Sequence, residues 1–75
     1  MRWAFTHHAA ARLAQRHGIA DPYGFLAARS TSATYLHPKG RSGLVWSFGD
    51  GVRVVSVPAA FGQIAITVLP PRIKP

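Results

Sequence analysis

The sequence contains no cysteine and only two acidic residues, Asp21 and Asp50. Without thiols, neither a disulfide nor a thiolate metal site can hold the fold together, so a hydrophobic core must do so. Asp21 has the position of a helix cap and Asp50 that of a hairpin turn, which argues against catalysis by paired carboxylates. No convincing set of metal ligands is present either. We therefore expect neither a metal nor another cofactor.

The chain also lacks a long hydrophobic run. Its least charged segment, residues 54–69, is interrupted by Ser56, Pro58 and Gly62 and is shorter than the roughly 18 residues that a membrane span needs. Histidines and arginines break up the N-terminal region, which therefore does not have the apolar core of a signal peptide. We expect a cytoplasmic protein without a membrane partner.

Basic residues, by contrast, are abundant. The sequence has nine Lys and Arg residues against two acids, which gives a net charge of +7 on 75 residues. Such an excess of one sign favours an acidic partner, either RNA or an acidic protein. The alternative is that the charge only keeps a small domain soluble.

Two helices are predicted in the first half of the chain. Thr6 is a typical N-cap and Gly18 a typical C-terminal stop, which predicts a first helix over residues 6–17. The pair Asp21-Pro22 is a second helix start, and two further turns follow over residues 23–29. Residues 30–32 are interpreted as a linker.

Four strands are predicted after the helices, with a hairpin turn at residues 49–51 and a turn at residues 58–62. The predicted strands are residues 33–37, 44–48, 52–57 and 63–69. The expected fold is a single α+β domain of residues 1–75, in which two N-terminal helices are followed by a four-stranded antiparallel sheet. Apolar side chains occupy both faces of these strands, and helices can cover only one face. The other face is expected to bind a partner or to form a homodimer.

Three cations recur every four residues on the first helix, namely His8, Arg12 and Arg16. At 100° per residue they lie within about 80° of one another, beside the apolar side of the helix. One interpretation is a binding or catalytic surface. The other is that the arginines extend along the edge of the core with their charged ends in water.

The segment from Thr6 to Ile19, THHAAARLAQRHGI, resembles the opening helix of small bacterial and phage domains of the barnase–EndoU–colicin–RelE-like superfamily. That helix reads roughly Thr-x-His-Ala-x-x-Arg-Leu/Met-x-x-Arg-Gly-Ile. The segment 66–69, Ile-Thr-Val-Leu, is similar to the last strand of these domains. One residue, His17, is inserted before the Gly-Ile pair.

The resemblance implies an RNA-directed, toxin-like RelE-like protein, and for active members a metal-independent ribonuclease. Carried over to this sequence, His8, Arg12 and Thr67 are the catalytic candidates. A histidine can transfer a proton near neutral pH, and an arginine can hold a phosphate with two hydrogen bonds. Thr67 is expected to orient that phosphate from the last strand.

Further cations are expected to bind RNA phosphates. These candidates are Arg16, His37, Lys39 and Arg41. The aromatic residues Trp3, Tyr35, Trp46 and Phe48 can stack on bases, although such residues more often form the core. The alternative function is a non-enzymatic, phage-encoded inhibitor or accessory protein that binds an acidic protein or nucleic acid through the same basic face. A third hypothesis is an assembly module that associates through the exposed sheet.

Overall fold

The structure is a computed structural model that describes residues 2–29, 33–40, 43–49 and 51–71. Within these residues the chain forms two helices and a sheet. The elements are β1 (Arg2–Phe5), α1 (His7–His17), α2 (Pro22–Arg29), β2 (Thr34–Lys39), β3 (Gly43–Ser47), β4 (Arg53–Ala59) and β5 (Gly62–Val68). The predicted linker at residues 30–32 and the hairpin residue Asp50 lie outside the described residues.

Helix α1 begins and ends where the sequence predicts. The Thr6 hydroxyl accepts a hydrogen bond from the Ala9 amide at 3.1 Å. At the other end Gly18 has the left-handed conformation, with φ 69°, and its amide donates to the Ala14 carbonyl at 3.0 Å. The Ile19 amide reaches the Leu13 carbonyl at 3.4 Å. Both ends of the helix are therefore satisfied by local bonds of the kind that Thr and Gly favour.

Helix α2 is also confirmed. Asp21 caps it, since its Oδ1 accepts a hydrogen bond from the Gly24 amide at 3.1 Å. Pro22 occupies the first helical position, where no backbone donor is needed. The helix buries Phe25 and Leu26.

The predicted four-stranded antiparallel sheet behind two helices is wrong, although the chain does combine helices and a sheet. A strand, β1, comes first, and the sheet has five strands in the order β1-β5-β4-β3-β2. The sheet is mixed, because β1 runs parallel to β5 while the other neighbours are antiparallel. Strand β1 has only four residues and leads directly into the cap of α1. Its conformation is stabilised by pairing with β5, at the far end of the sequence, which no local pattern reveals.

The four predicted strands are present with shifted ends. The first extends through Pro38 to Lys39, which an edge strand tolerates because the missing proline N–H need not face a neighbour. The predicted turn at residues 58–62 is narrower than expected. Ala59 pairs with Gly62, so only Ala60 and Phe61 connect β4 to β5.

The helices α1 and α2 pack on the same face of the sheet, which we call the helix-covered face. Their buried residues form one core cluster with strand residues and with Phe48. The cluster contains Ala9, Leu13, Phe25, Leu26, Phe48, Val52, Val54, Ala65 and Val68, and Trp3, Phe5 and Trp46 pack against it. The opposite side, on which neither α1 nor α2 packs, is called the helix-free face.

Two irregularities in strand register decide which side chains reach each face. Between β4 and β5, Val55 pairs with Thr67 and Ser56 pairs with Ala65, so Ile66 is skipped. Between β2 and β3, Tyr35 pairs with Trp46 and His37 pairs with Val45, so Leu36 is skipped. Each extra residue reverses the alternation of side chains beyond it. As a result, Ala65 and Val68 both lie on the helix-covered face, and His37 lies beside Val45 on the helix-free face.

Gly62 pairs with Arg2, where β5 runs beside β1. Its φ is 150°, and a Cβ at this position would collide with the Arg2 carbonyl oxygen and lie 2.8 Å from the Arg2 amide nitrogen. Gly40 provides a matched comparison, because its φ is also positive, at 66°, but a Cβ there meets nothing within 4 Å.

We expect Gly62→Ala to lower the free energy of unfolding by about 2 to 3 kcal/mol, because strain and a backbone collision add together. Gly40→Ala should lower it by about 1 kcal/mol, from the left-handed backbone alone. Urea unfolding followed by tryptophan fluorescence measures both values. Equal losses in the two variants would show that the contact with β1 is not the cause.

Candidate functional site

The site residues predicted from the sequence fall on two sides of the molecule. His8, Arg12 and Arg16 belong to α1, which packs on the helix-covered face. Strand register places His37, Lys39 and Thr67 on the helix-free face. Arg41 lies outside the described residues.

On α1, the angle of each basic residue from the buried side of the helix determines how exposed its side chain is. Ala9 and Leu13 are fully buried and mark the side that faces the sheet. Arg16 lies about 20° from Ala9 around the helix axis, Arg12 about 60° and His8 about 100°. His8 is accordingly exposed, while the two arginines are half-buried. The Arg12 Nη1 donates to the Gln15 Oε1 at 2.9 Å, an exposed bond along the helix surface.

Arg16 and its neighbour His17 bind the backbone where β5 ends. The Arg16 Nη1 donates to the Val68 carbonyl at 2.8 Å. The His17 Nε2 lies 3.0 Å from the Leu69 carbonyl, which can only accept, so this ring nitrogen donates. From β4, the Arg53 Nη2 donates to the Pro70 carbonyl at 3.1 Å. These three side chains thus bind three successive carbonyls, and Arg16 lies at the edge of the core.

Thr67 is not brought together with His8 and Arg12. Its cross-strand partner is Val55, whereas the adjacent pair Val54 and Val68 belongs to the core beneath the helices. Neighbouring residues of a regular strand point to opposite faces, so Thr67 is on the helix-free face. The sheet therefore separates Thr67 from the two candidates on α1.

The helix-free face brings together a different set of polar residues. Arg53 pairs with Ser47, which in turn pairs with Thr34, and all three share this face. His37 and Thr67 flank the buried pair Val45 and Val55. Lys39 follows on the same face, opposite Gly43. The described part of this face thus presents a lysine, an arginine, a histidine and three hydroxyl groups around an apolar centre, an arrangement suited to binding phosphate oxygens.

The sequence analysis did not select Arg53 as a site residue. The sequence did contain an indication of its role, because Arg53 is the only charged residue among the valines of its predicted strand. It also alternates with the core residues Val52 and Val54, so it must point away from the core. The only acid in the described residues, Asp21, caps α2 and does not belong to this face.

The described residues contain no group of three His, Cys, Asp or Glu side chains arranged to hold a metal ion. Among the described helices, none is long and apolar enough to cross a membrane. No protein-family model matches the chain, and comparisons with curated proteins and with solved structures also find no match. The function therefore has to be argued from the residues themselves.

Substitution of Arg16 and of Arg12 by methionine tests the structural role of the α1 arginines. Arg16→Met keeps most of the apolar side chain but leaves the half-buried Val68 carbonyl without its donor, so we expect a loss of about 1 to 2 kcal/mol in the free energy of unfolding. Arg12→Met removes only an exposed bond to Gln15 and should change that free energy by less than about 0.5 kcal/mol. Chemical denaturation at neutral pH measures both, and a larger loss for Arg12→Met would contradict this assignment.

Proposed function

We propose that the protein is a cytoplasmic, RNA-directed, toxin-like protein of the RelE-like type, and that it binds RNA through the helix-free face of its sheet. The observation that carries this proposal is the gathering of His37, Lys39 and Arg53 on one face of a chain with a net charge of +7. The resemblance of α1 to RelE-like domains supplies the toxin-like part of the proposal.

The chemistry of this face fits a phosphate backbone. Lysine and arginine neutralise phosphates and release the counterions that surround a nucleic acid, which supplies most of the affinity that does not depend on base sequence. Hydroxyl groups such as those of Thr34, Ser47 and Thr67 are common additional donors to phosphate oxygens. Neighbouring strands lie about 4.8 Å apart, so these groups are spread over the face rather than focused on a single point. Such a spread favours an extended polyanion over a small anion.

The proposal concerns RNA binding and does not include a catalytic centre made of His8, Arg12 and Thr67. A ribonuclease needs its proton-transfer group and its phosphate-holding groups around one reacting phosphate. Here the sheet separates Thr67 from the two residues on α1.

A second candidate is a non-enzymatic inhibitor or accessory protein that binds an acidic protein through the same face. The half-buried side chains of Val57 and Ile64 favour it, because they pair with each other on the same face and add apolar surface that a protein partner can cover. The two candidate functions predict different preferred ligands: RNA for the first and an acidic protein for the second.

Lys39→Glu and Arg12→Glu form a matched pair for testing the RNA proposal. Each lowers the net charge by two, but Lys39 lies on the helix-free face and Arg12 on α1. We expect Lys39→Glu to weaken RNA binding by about tenfold and to reduce the slope of log affinity against log salt by about 1. Arg12→Glu should weaken binding by less than about threefold. Fluorescence anisotropy with a labelled 12-nucleotide RNA, between about 50 and 200 mM salt, measures both effects.

The controls separate the competing explanations. Equal losses in the two variants would mean that net charge alone drives binding and that the helix-free face has no special role. Tighter binding of polyglutamate than of RNA would favour the acidic-protein candidate. Absence of RNA binding by the wild-type chain at about 50 mM salt would remove the RNA proposal.

A further inference from the structure

Strand β1 adds a further basic residue to the helix-free face, at the edge of the sheet opposite β2. Trp3 and Phe5 pack against the core beneath the helices, so Arg2, which alternates with them, points to the helix-free face. Arg2 is also exposed. The helix-free face therefore carries basic residues at both of its edges, namely Arg2 on β1 and His37 and Lys39 on β2.

The two basic edges are too far apart to hold one phosphate. The strand order β1-β5-β4-β3-β2 leaves four interstrand spacings between Arg2 and Lys39, which is about 19 Å across the sheet at about 4.8 Å for each spacing. A ligand with two phosphate backbones on either side of a groove can reach both edges at once. A single backbone that follows one edge leaves the basic residues of the other edge without a phosphate.

Hydroxyl groups lie between the two basic edges. Ser47 is on β3 and Thr67 is on β5, with Arg53 on the strand between them. The minor groove of an RNA duplex is wide and shallow, and it displays 2′-hydroxyl groups between the two phosphate backbones. A protein hydroxyl can both donate to and accept from a 2′-hydroxyl. Hydroxyls between two basic edges therefore match the order of groups across that groove.

The aromatic side chains of the strands and of the residue after β3 lie on the opposite, helix-covered face. These residues are Trp3, Phe5, Tyr35, Trp46 and Phe48. Proteins that bind single strands commonly stack successive bases on such rings, beside the basic residues that hold the backbone. Here the sheet separates these rings from the basic residues of the helix-free face. The bases of a duplex stack on one another, so a duplex needs no ring on this face.

We propose that the helix-free face binds double-stranded RNA across its minor groove. Arg2 lies beside one phosphate backbone, His37 and Lys39 lie beside the other, and the hydroxyls of Ser47 and Thr67 face the 2′-hydroxyl groups between them. This inference rests on the RNA-binding function proposed above and names the form of RNA that the face takes. Charge complementarity at both edges argues for this occupant.

The first test compares three probes of one sequence. They are a labelled 12-nucleotide RNA strand, the RNA duplex that it forms with its complement, and the DNA duplex of the same sequence. The two duplexes carry the same number of phosphates, so the DNA duplex controls for charge. At about 100 mM salt, the wild-type protein should bind the RNA duplex at least about fivefold more tightly than either other probe, as measured by fluorescence anisotropy.

Arg2→Gln tests the β1 edge, and Arg12→Gln on α1 is its matched control. Arg2→Gln should weaken binding of the RNA duplex by about fivefold and reduce the slope of log affinity against log salt by about 1. Arg12→Gln removes the same charge, but α1 packs on the helix-covered face. It should therefore change the affinity by less than about twofold.

Thr67→Val tests the contact with the 2′-hydroxyl groups. It removes a hydroxyl but keeps a β-branched side chain that suits a strand. We expect about three- to fivefold weaker binding of the RNA duplex and a change of less than about twofold for the DNA duplex, which has no 2′-hydroxyl. Tyr23→Phe removes an exposed hydroxyl on α2 and should leave both affinities unchanged. Thermal unfolding establishes that each variant is folded, and Ser47→Ala provides the same test if Thr67→Val is not.

Each other outcome overturns the duplex site. Equal binding of the RNA and DNA duplexes would show that charge alone attracts the ligand, and tighter binding of the single strand would show that unpaired RNA is preferred. Equal effects of Arg2→Gln and Arg12→Gln would show that the β1 edge is not contacted. Equal losses for both duplexes in Thr67→Val would show that this hydroxyl does not meet a 2′-hydroxyl.

The failure of the duplex site can be distinguished from the failure of RNA binding itself. In each of these cases a continued effect of Lys39→Glu leaves the RNA-binding proposal standing. Failure of the wild-type protein to bind any of the three probes removes both proposals.

Discussion

The packing of α1 on β5 is the interaction on which the rest of the structure depends. Ala9 and Leu13 of the helix and Ala65 and Val68 of the strand are all fully buried in one cluster. Ala65 and Val68 are three residues apart, so a strand of regular alternation would turn one of them away from the helix. The skip at Ile66 resolves this conflict, because it brings both side chains to the same face. Burial of this apolar surface is the driving force that selects the irregular register.

The position of α1 in turn determines what its cations do. Once the helix lies on β5, its last turn is close to the end of that strand, and Arg16 and His17 bind the Val68 and Leu69 carbonyls. Val68 is the last residue of β5 and Leu69 follows it, and a carbonyl without a hydrogen-bond donor in a buried or half-buried place is costly. Arg16, one of the three residues that the sequence suggests as a binding surface on this helix, therefore stabilises the fold together with its neighbour His17. The same register places Thr67 on the far side of the sheet, away from His8 and Arg12.

The surface that we propose for RNA binding consequently lies on the sheet rather than on the helix. His37 and Lys39 come from β2 and Arg53 comes from β4, and the ladder of β2, β3 and β4 places them on one face. Tyr35 pairs with Trp46 and lies on the other face, the helix-covered one. The aromatic side chains that the sequence offers for base stacking divide accordingly. Phe48 is buried in the core, Trp3 and Trp46 are half-buried supports, and Tyr35 is the exposed one.

Local patterns in the sequence determined the helices, the approximate strands and the charge. The caps of α1 and α2 are bonds between residues three to six positions apart, so Thr6, Gly18 and Asp21 were sufficient to predict them. The tertiary structure alone decided that β1 exists, because its partner β5 lies at the other end of the chain. It also decided the skips at Leu36 and Ile66, and with them the faces of His37 and Thr67. A period of two residues predicts a face only while the register is regular, and the register here is selected by burial against a helix distant in sequence.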